Sequence, residues 1–173
     1  MEKGSIASDW SPDSKHLLVQ SDVEDLSAGE KREFKLQIMD LDSGKLSDVP
    51  SSRGLTGQAW LIPDTLVAMS GDNTKALIFD IKTQKWSELI SDSSCFSFSP
   101  DRKYLYCQTG GAEPKVLRIR VADHKVETIV SLKNLQQVFV NYATSGGIAP
   151  DGSPIFTREV GTQEIYALSV KWP

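Results

Sequence analysis

The sequence predicts an all-β chain built from four repeated, four-stranded antiparallel units. Three observations predict it. A Pro-Asp turn recurs four times, beginning at residues 12, 63, 100 and 150; a second box recurs at an offset of 40 residues; and several strands are apolar on consecutive positions. Repetition of this kind is read before any single motif, because each copy is a supersecondary unit that cannot bury its apolar face alone.

The turn box comes first in each unit. Trp10 to Val19 returns as Phe98 to Cys107, again as Ile148 to Thr157, and in shortened form as Trp60 to Met69. Ser11-Pro12-Asp13-Ser14-Lys15 is a tight-turn sequence: proline presets the backbone of the second position, and Ser and Asp side chains bond neighbouring amides. Leu17-Leu18-Val19 and Tyr104-Leu105-Tyr106 follow, rich in strand formers. The second box runs Leu36 to Lys45, Ala76 to Lys85 and Val116 to Lys125, with Ile165 to Val170 as a truncated fourth copy. It is an apolar strand ending in a polar turn. A short third piece closes each unit, at Leu46–Val49, Trp86–Ile90 and Val126–Val130. With the strand entering each Pro-Asp turn, every unit has four strands, and the units run over 5–49, 55–90, 93–130 and 143–172.

Leu66-Val67-Ala68 and Ile78-Phe79 are apolar side by side. A sheet with one wet face alternates, so these strands are expected to be covered on both faces. A small sheet held between two neighbours meets that condition, as a β-propeller blade does. A two-sheet sandwich predicts no repeat of 40 residues. Two segments stand outside the pattern. Ser131 to Val138 carries apolar residues at 132, 135 and 138 and a cap candidate at Ser131, which fits one or two helical turns or an irregular loop equally. Residues 21–33 read as a long, charged hairpin tip.

Composition narrows the function classes. The chain has 173 residues, 19 Lys+Arg against 23 Asp+Glu, and a net charge of −4, which gives no basic footprint for nucleic acid. Its longest apolar runs, such as Leu66 to Met69, are far too short for a membrane-spanning helix. Met1-Glu2-Lys3-Gly4 is not followed by the apolar stretch of a signal peptide. Cys95 and Cys107 flank the third Pro-Asp turn, and a one-residue choice of register puts them opposite each other or on different faces. Two buried free thiols are the expectation.

With these boxes the chain resembles the TolB-like β-propeller family, whose WD-like repeats carry a Trp-Ser-Pro-Asp-Gly-Lys core. Ser14 and Arg102 stand where that core has glycine, the second unit lacks the Gly-Lys portion, and Ile148-Ala149 replace Trp-Ser in the fourth. It is also similar to the propeller region at the C-terminal end of long bacterial proteins, including winged-helix regulators. The resemblance implies a scaffold for protein contact or sensing with no chemistry of its own. It also implies a periplasmic location if the chain follows TolB; otherwise the cytoplasm is expected.

Searching for chemistry gives no catalytic, cofactor-binding or metal-binding residue. There is no Gly-x-Ser-x-Gly elbow; Ser145 before Gly146-Gly147 comes nearest and reads as a turn. No phosphate-binding glycine loop and no His-Glu-x-x-His is present. Asp40-Leu41-Asp42-Ser43-Gly44 has too few oxygen donors for a calcium loop and reads as a strand-ending turn. Asp13, Asp64, Asp101 and Asp151 are expected to cap turns, one per blade, rather than to form an acid–base pair. Trp10, Trp60 and Trp86 are expected to pack between blades, Trp172 is left open, and His16 and His124 read as surface residues. The expected function is therefore a non-catalytic interaction or sensory module, part of a larger protein or assembly, binding a protein partner or small ligand on one propeller face. The alternatives are the propeller portion of a prolyl-oligopeptidase-type hydrolase, or a propeller enzyme acting on a sugar or lactone. Four blades also suggest either a small closed ring or a homodimer completing a larger one, the latter preferred. In such a ring, segment 1–9 is a candidate to pair beside the last blade.

Overall fold

The computed structural model describes residues 5–23, 33–135, 139–140, 143–144 and 146–156. Among them the chain is all β and forms no helix. The first sheet holds β1 (Ile6–Trp10), β2 (His16–Asp22), β3 (Phe34–Asp40) and β4 (Leu46–Asp48) in that order. The second holds β5 (Leu55–Ile62), β6 (Thr65–Ser70), β7 (Lys75–Asp80) and β8 (Lys85–Ser91). The third holds β9 (Ser93–Phe98), β10 (Tyr104–Thr109), β11 (Lys115–Arg120) and β12 (Val126–Ser131). Every pairing is antiparallel between sequence neighbours. Two strand pairs follow: β13 (Phe139–Val140) with β14 (Ala143–Thr144), and β15 (Gly146–Ile148) with β16 (Pro154–Phe156). The pair β15–β16 surrounds the fourth Pro-Asp turn and begins a fourth blade.

Burial on both faces has a direct signature. In β6, Leu66 and Ala68 enter the core shared with Leu18, Leu36 and Val49 of the first sheet. Val67 and Met69, pointing the other way, enter the core shared with Leu105, Cys107 and Ile119 of the third. Tyr106 of β10 turns away from that second core into a third one, with Val116, Leu132, Ile148 and Phe156. Each residue buried in this way contributes about 1.5–3 kcal/mol, so the stability of the stack resides in the gaps between sheets. Strand β1 approaches β5 and β9 approaches β15 across those gaps, whereas β4 and β12 lie on the outside and are largely exposed.

One device recurs in the inner strands. The ladder slips by a residue between Ala7 and Asp9, between Gly57 and Ala59, and between Cys95 and Ser97 opposite Tyr106 and Cys107. The extra residues, Ser8, Gln58 and Phe96, each stand two before the aromatic residue that leads into the turn. Such bulges flip which residues share a face. Phe96 faces the third core while Cys95 and Phe98 both face the second.

That slip overturns the expectation of two free thiols. Cys107 pairs directly with Cys95, and the two form a disulfide. Without the bulge Cys107 would oppose Phe96, and Cys95 would lie on the far face. Of segment 1–9, Ile6 to Asp9 are hydrogen-bonded to β2 within the first sheet, while residues 1–4 and residues 157–173 of the last unit, on which pairing beside the last blade turns, lie outside the described residues. No helical run forms over residues 131–135, where Ser131 closes β12 and a single turn follows, with Leu135 N–H donating to Leu132 O at 2.9 Å. Residues 136–138, most of the charged 21–33 tip, and the second-box copy at 165–170 lie outside the described residues.

Candidate functional site

The strand order places two sets of turns on one rim. The β1–β2, β5–β6, β9–β10 and β15–β16 turns carry Pro-Asp, and the β3–β4, β7–β8 and β11–β12 turns lie beside them. Backbone bonds join the sets: Leu41 N–H donates to Lys15 O, Ile81 N–H to Asp64 O and Val121 N–H to Lys103 O, each at 2.9 Å.

The Pro-Asp aspartates hold these turns. Asp13 Oδ1 accepts from Ser11 Oγ at 2.6 Å and from Lys15 N–H at 3.1 Å, while Ser11 Oγ accepts from His16 N–H at 2.9 Å. Asp101 repeats this with Ser99, Lys103 and Tyr104, and Asp151 accepts from Ser153 N–H at 2.9 Å. Asp64 differs, for its carboxylate takes Lys82 Nζ at 2.5 Å. Ser14 and Arg102 occupy left-handed backbone, at φ 59° and 57°, and Gly152 at 84°. This is the glycine slot of the repeat, and it stays left-handed whichever residue fills it.

At the inner end of the rim, one cluster ties three blades. Arg102 reaches back from the third turn to the carboxylate of Asp9 on β1, its Nη1 bonding Oδ2 and its Nη2 bonding Oδ1 at 3.1 Å. The same Nη1 donates to Trp60 O at 2.6 Å, and Trp60 N–H donates to Asp9 Oδ2 at 3.0 Å. The bulge at Ser8 aims Asp9 into this gap. Burial pushes its carboxyl up, but the Arg102 guanidinium and the amides of Trp60 and Trp10 outweigh that and hold it below the usual carboxylate range. Hydrogen bonding to Asp9 in turn raises Arg102. His16 is half-buried rather than a surface residue. Its ring lies 5.8 Å from that of Trp60, with Nδ1 3.8 Å from Asp13 and Nε2 3.6 Å from Asp40.

The remaining sequence candidates fall into place around this cluster. Asp40 Oδ1 accepts from the amide and hydroxyl of Ser43 at 2.8 and 2.6 Å, closing a strand-ending turn. Trp60 fills the gap between the first two blades, and Trp86 packs on Phe79 at 4.9 Å while its Nε1–H donates to Pro50 O. Trp10 departs from expectation: it is 56% exposed, although Leu17 and Val19 on the same side of the first blade are buried. His124 is exposed on left-handed backbone at φ 58°. Trp172 and Ser145 lie outside the described residues. Among the described residues, no three His, Cys, Asp or Glu side chains gather into a group able to hold a metal ion.

Two features escaped the sequence. Arg102 and Asp9 are separated by 93 residues, and no local pattern pairs them. The opposite rim carries an unrecognised copy of the turn, Ser70-Gly71-Asp72-Asn73-Thr74. Asp72 Oδ1 there accepts from Ser70 Oγ and from Thr74 Oγ1 and N–H, with Asn73 at φ 57°. The Ser-x-Asp spacing was the available signal. The hydroxyls of Ser70 and Thr74 hold the Asp72 carboxyl down at about 2.

Small four-stranded antiparallel sheets stacked face to face define a β-propeller, small or partial. Solved structures agree on the fold. The chain is similar to an oligogalacturonate lyase in complex with manganese, at TM-score 0.62 and 10% identity over 96% of this chain and 57% of that one. It is similar to TolB from Acinetobacter baumannii, at 0.55 and 19% over 91% and 39%. An auxiliary nutrient binding protein from Bacteroides thetaiotaomicron follows, at 0.50 and 12% over 85% and 35%. The chain thus spans well under two thirds of each of these proteins. No protein-family model and no curated sequence matches it.

Proposed function

We propose that this chain is a non-catalytic interaction or sensory propeller module, acting within a larger protein or assembly through its Pro-Asp rim. The observation that supports this reading is how the rim's carboxylates are used. Asp9, Asp13, Asp40, Asp80, Asp101 and Asp151 are all held below the ordinary carboxylate range by turn hydroxyls, turn amides or Arg102. They are structural anions, whereas general acid–base work calls for a group poised near the working pH. What the rim offers a partner is shape and mixed charge on a rigid frame, with Ile62 exposed at its inner end.

The test is in two arms. The chain is assayed on peptide, lactone and uronide substrates, with and without manganese, and no turnover above buffer is expected. Turnover blocked by a serine-directed reagent, or dependent on manganese, overturns the reading. In the second arm a photo-crosslinking residue replaces Lys103 on the Pro-Asp rim or Asn73 on the opposite one, in cells of the source organism. Adducts from position 103 and none from 73 are expected; the reverse moves the binding face.

A further inference from the structure

Arg102 uses only part of its guanidinium to hold the blades together. Nη1 and Nη2 pair with the two oxygens of Asp9, and the second Nη1 hydrogen goes to Trp60 O at 2.6 Å. A guanidinium carries five N–H donors in a fixed planar fork. The two left over are Nε–H and the second Nη2–H, which point the same way along one edge. Neither has a partner among the described residues, and 39% of the side chain is open. The bonds to Asp9 and Trp60 also hold the fork still, so a ligand meets a group that is already ordered. The carboxylates around it are engaged. Asp9 accepts from the amides of Trp60 and Trp10 as well as from the guanidinium, and Asp101 from Ser99 Oγ and Lys103 N–H. Ile62, two residues on from Trp60 in β5, is 39% exposed.

We propose that this unused edge of Arg102 receives the carboxylate of an extended acidic segment of a partner protein, an aspartate or glutamate whose apolar neighbour covers Ile62. The proposal names the partner chemistry of the Pro-Asp rim and rests on the reading of that rim as a binding face. A carboxylate is the acceptor whose two oxygens match two parallel N–H groups, which makes a bidentate, charge-assisted pair. A single peptide carbonyl fills one donor and leaves the other idle. Asp9 does not forbid a second anion, because its own charge is already met by the guanidinium and two backbone amides. Arg102 then bridges two carboxylates, one from each protein. At a site this open a small carboxylate gains the two bonds alone, whereas a protein segment also buries Ile62. Arginine fixed beside exposed apolar surface is the kind of group that dominates protein interfaces.

The experiment titrates the nitrogen-15-labelled chain with an acetylated, amidated Val-Glu-Val-Glu-Val peptide and follows the Arg102 Nε–H resonance. The glutamate peptide should move that signal and bind about tenfold more tightly than its twin with glutamine for glutamate, which lacks the charge and the second matched oxygen. Ile62→Gln should weaken the glutamate peptide about fivefold without lowering the melting temperature. Arg102→Lys, whose ammonium is taken up by Asp9, should lose the preference for glutamate; should that variant unfold, the twin peptides and Ile62→Gln still decide. Equal binding of the two peptides overturns the proposal, as does tighter glutamate binding that leaves the Arg102 signal in place. Acetate that moves the signal at the peptide's own concentration assigns the edge to small carboxylates and overturns the protein partner. The reading of the rim fails separately. Absence of adducts at position 103 sinks that reading even where the glutamate peptide binds Arg102, while adducts at 103 beside a silent Arg102 signal sink this proposal alone.

Discussion

Trp10 and Trp60 stand at the same place in successive repeats and meet opposite surroundings. Trp60 is enclosed by Leu18 and Leu36 of one sheet and Leu66 and Phe79 of its own, and its amide and carbonyl carry the tie to Asp9 and Arg102. Trp10 likewise precedes a Pro-Asp turn and pairs with the strand that follows it, yet more than half its surface is open. The difference teaches that a residue's role in a repeat is set by the neighbouring unit. Equivalent positions in the repeat yield an anchor between two blades at Trp60 and an open side chain at Trp10.

Four experiments break or sharpen this comparison. The largest effect belongs to Trp60→Ala, which should lower the unfolding free energy by about 3–5 kcal/mol through cavity formation, while Trp10→Ala stays within about 1 kcal/mol. Both are measured by urea unfolding. Equal losses would erase the contrast. Next comes the third blade, whose adjacent strands β9 and β10 are stapled by the Cys95–Cys107 bond across a separation of 12 residues. Replacing both cysteines by alanine should remove about 3 kcal/mol, and a reductant should do the same to the wild type on unfolding. Curves that coincide with and without reductant would show that the staple does not form.

Arg102→Ala should cost about 1–3 kcal/mol, because it leaves Asp9 charged and largely enclosed. Arg102→Lys should recover only part, since one ammonium cannot reproduce a fork that spans both Asp9 oxygens and Trp60 O. Full recovery by lysine would reduce the tie to simple charge pairing. The smallest effect near neutrality is the pH dependence. Eight aspartates, at 9, 13, 40, 48, 72, 80, 101 and 151, are held below 3.8 in the folded chain. The unfolded chain therefore binds more protons as pH falls below that value, and stability drops with it, with Asp72 protonating last, near 2. The melting temperature should be flat from neutrality down to about pH 5 and fall steadily below about pH 4. A rise on acidification would reverse the sign of the argument.

The blades and their turns were legible because they are local. Ser11, Asp13 and Lys15 are within two residues of their partners, and the consecutive apolar run Leu66-Val67-Ala68 does divide between two cores. The bulges were not legible. One additional residue at Ser8 or Phe96 changes no composition and no turn, but it reverses the facing of everything after it in the strand. On that reversal depend the disulfide and the aim of Asp9. The exposure of Trp10 was illegible for a different reason, since its sequence context matches that of a buried residue.

The left-handed slot of the Pro-Asp turn carries a warning for anyone redesigning the chain by consensus. Aligning the units would recommend glycine at position 102, as at 152, and the backbone there would relax by a fraction of a kcal/mol to about 1 kcal/mol. That repair would also delete the guanidinium that fastens three blades together. The strained residue keeps its place because its benefit is felt 93 positions away, where no averaging over units can register it.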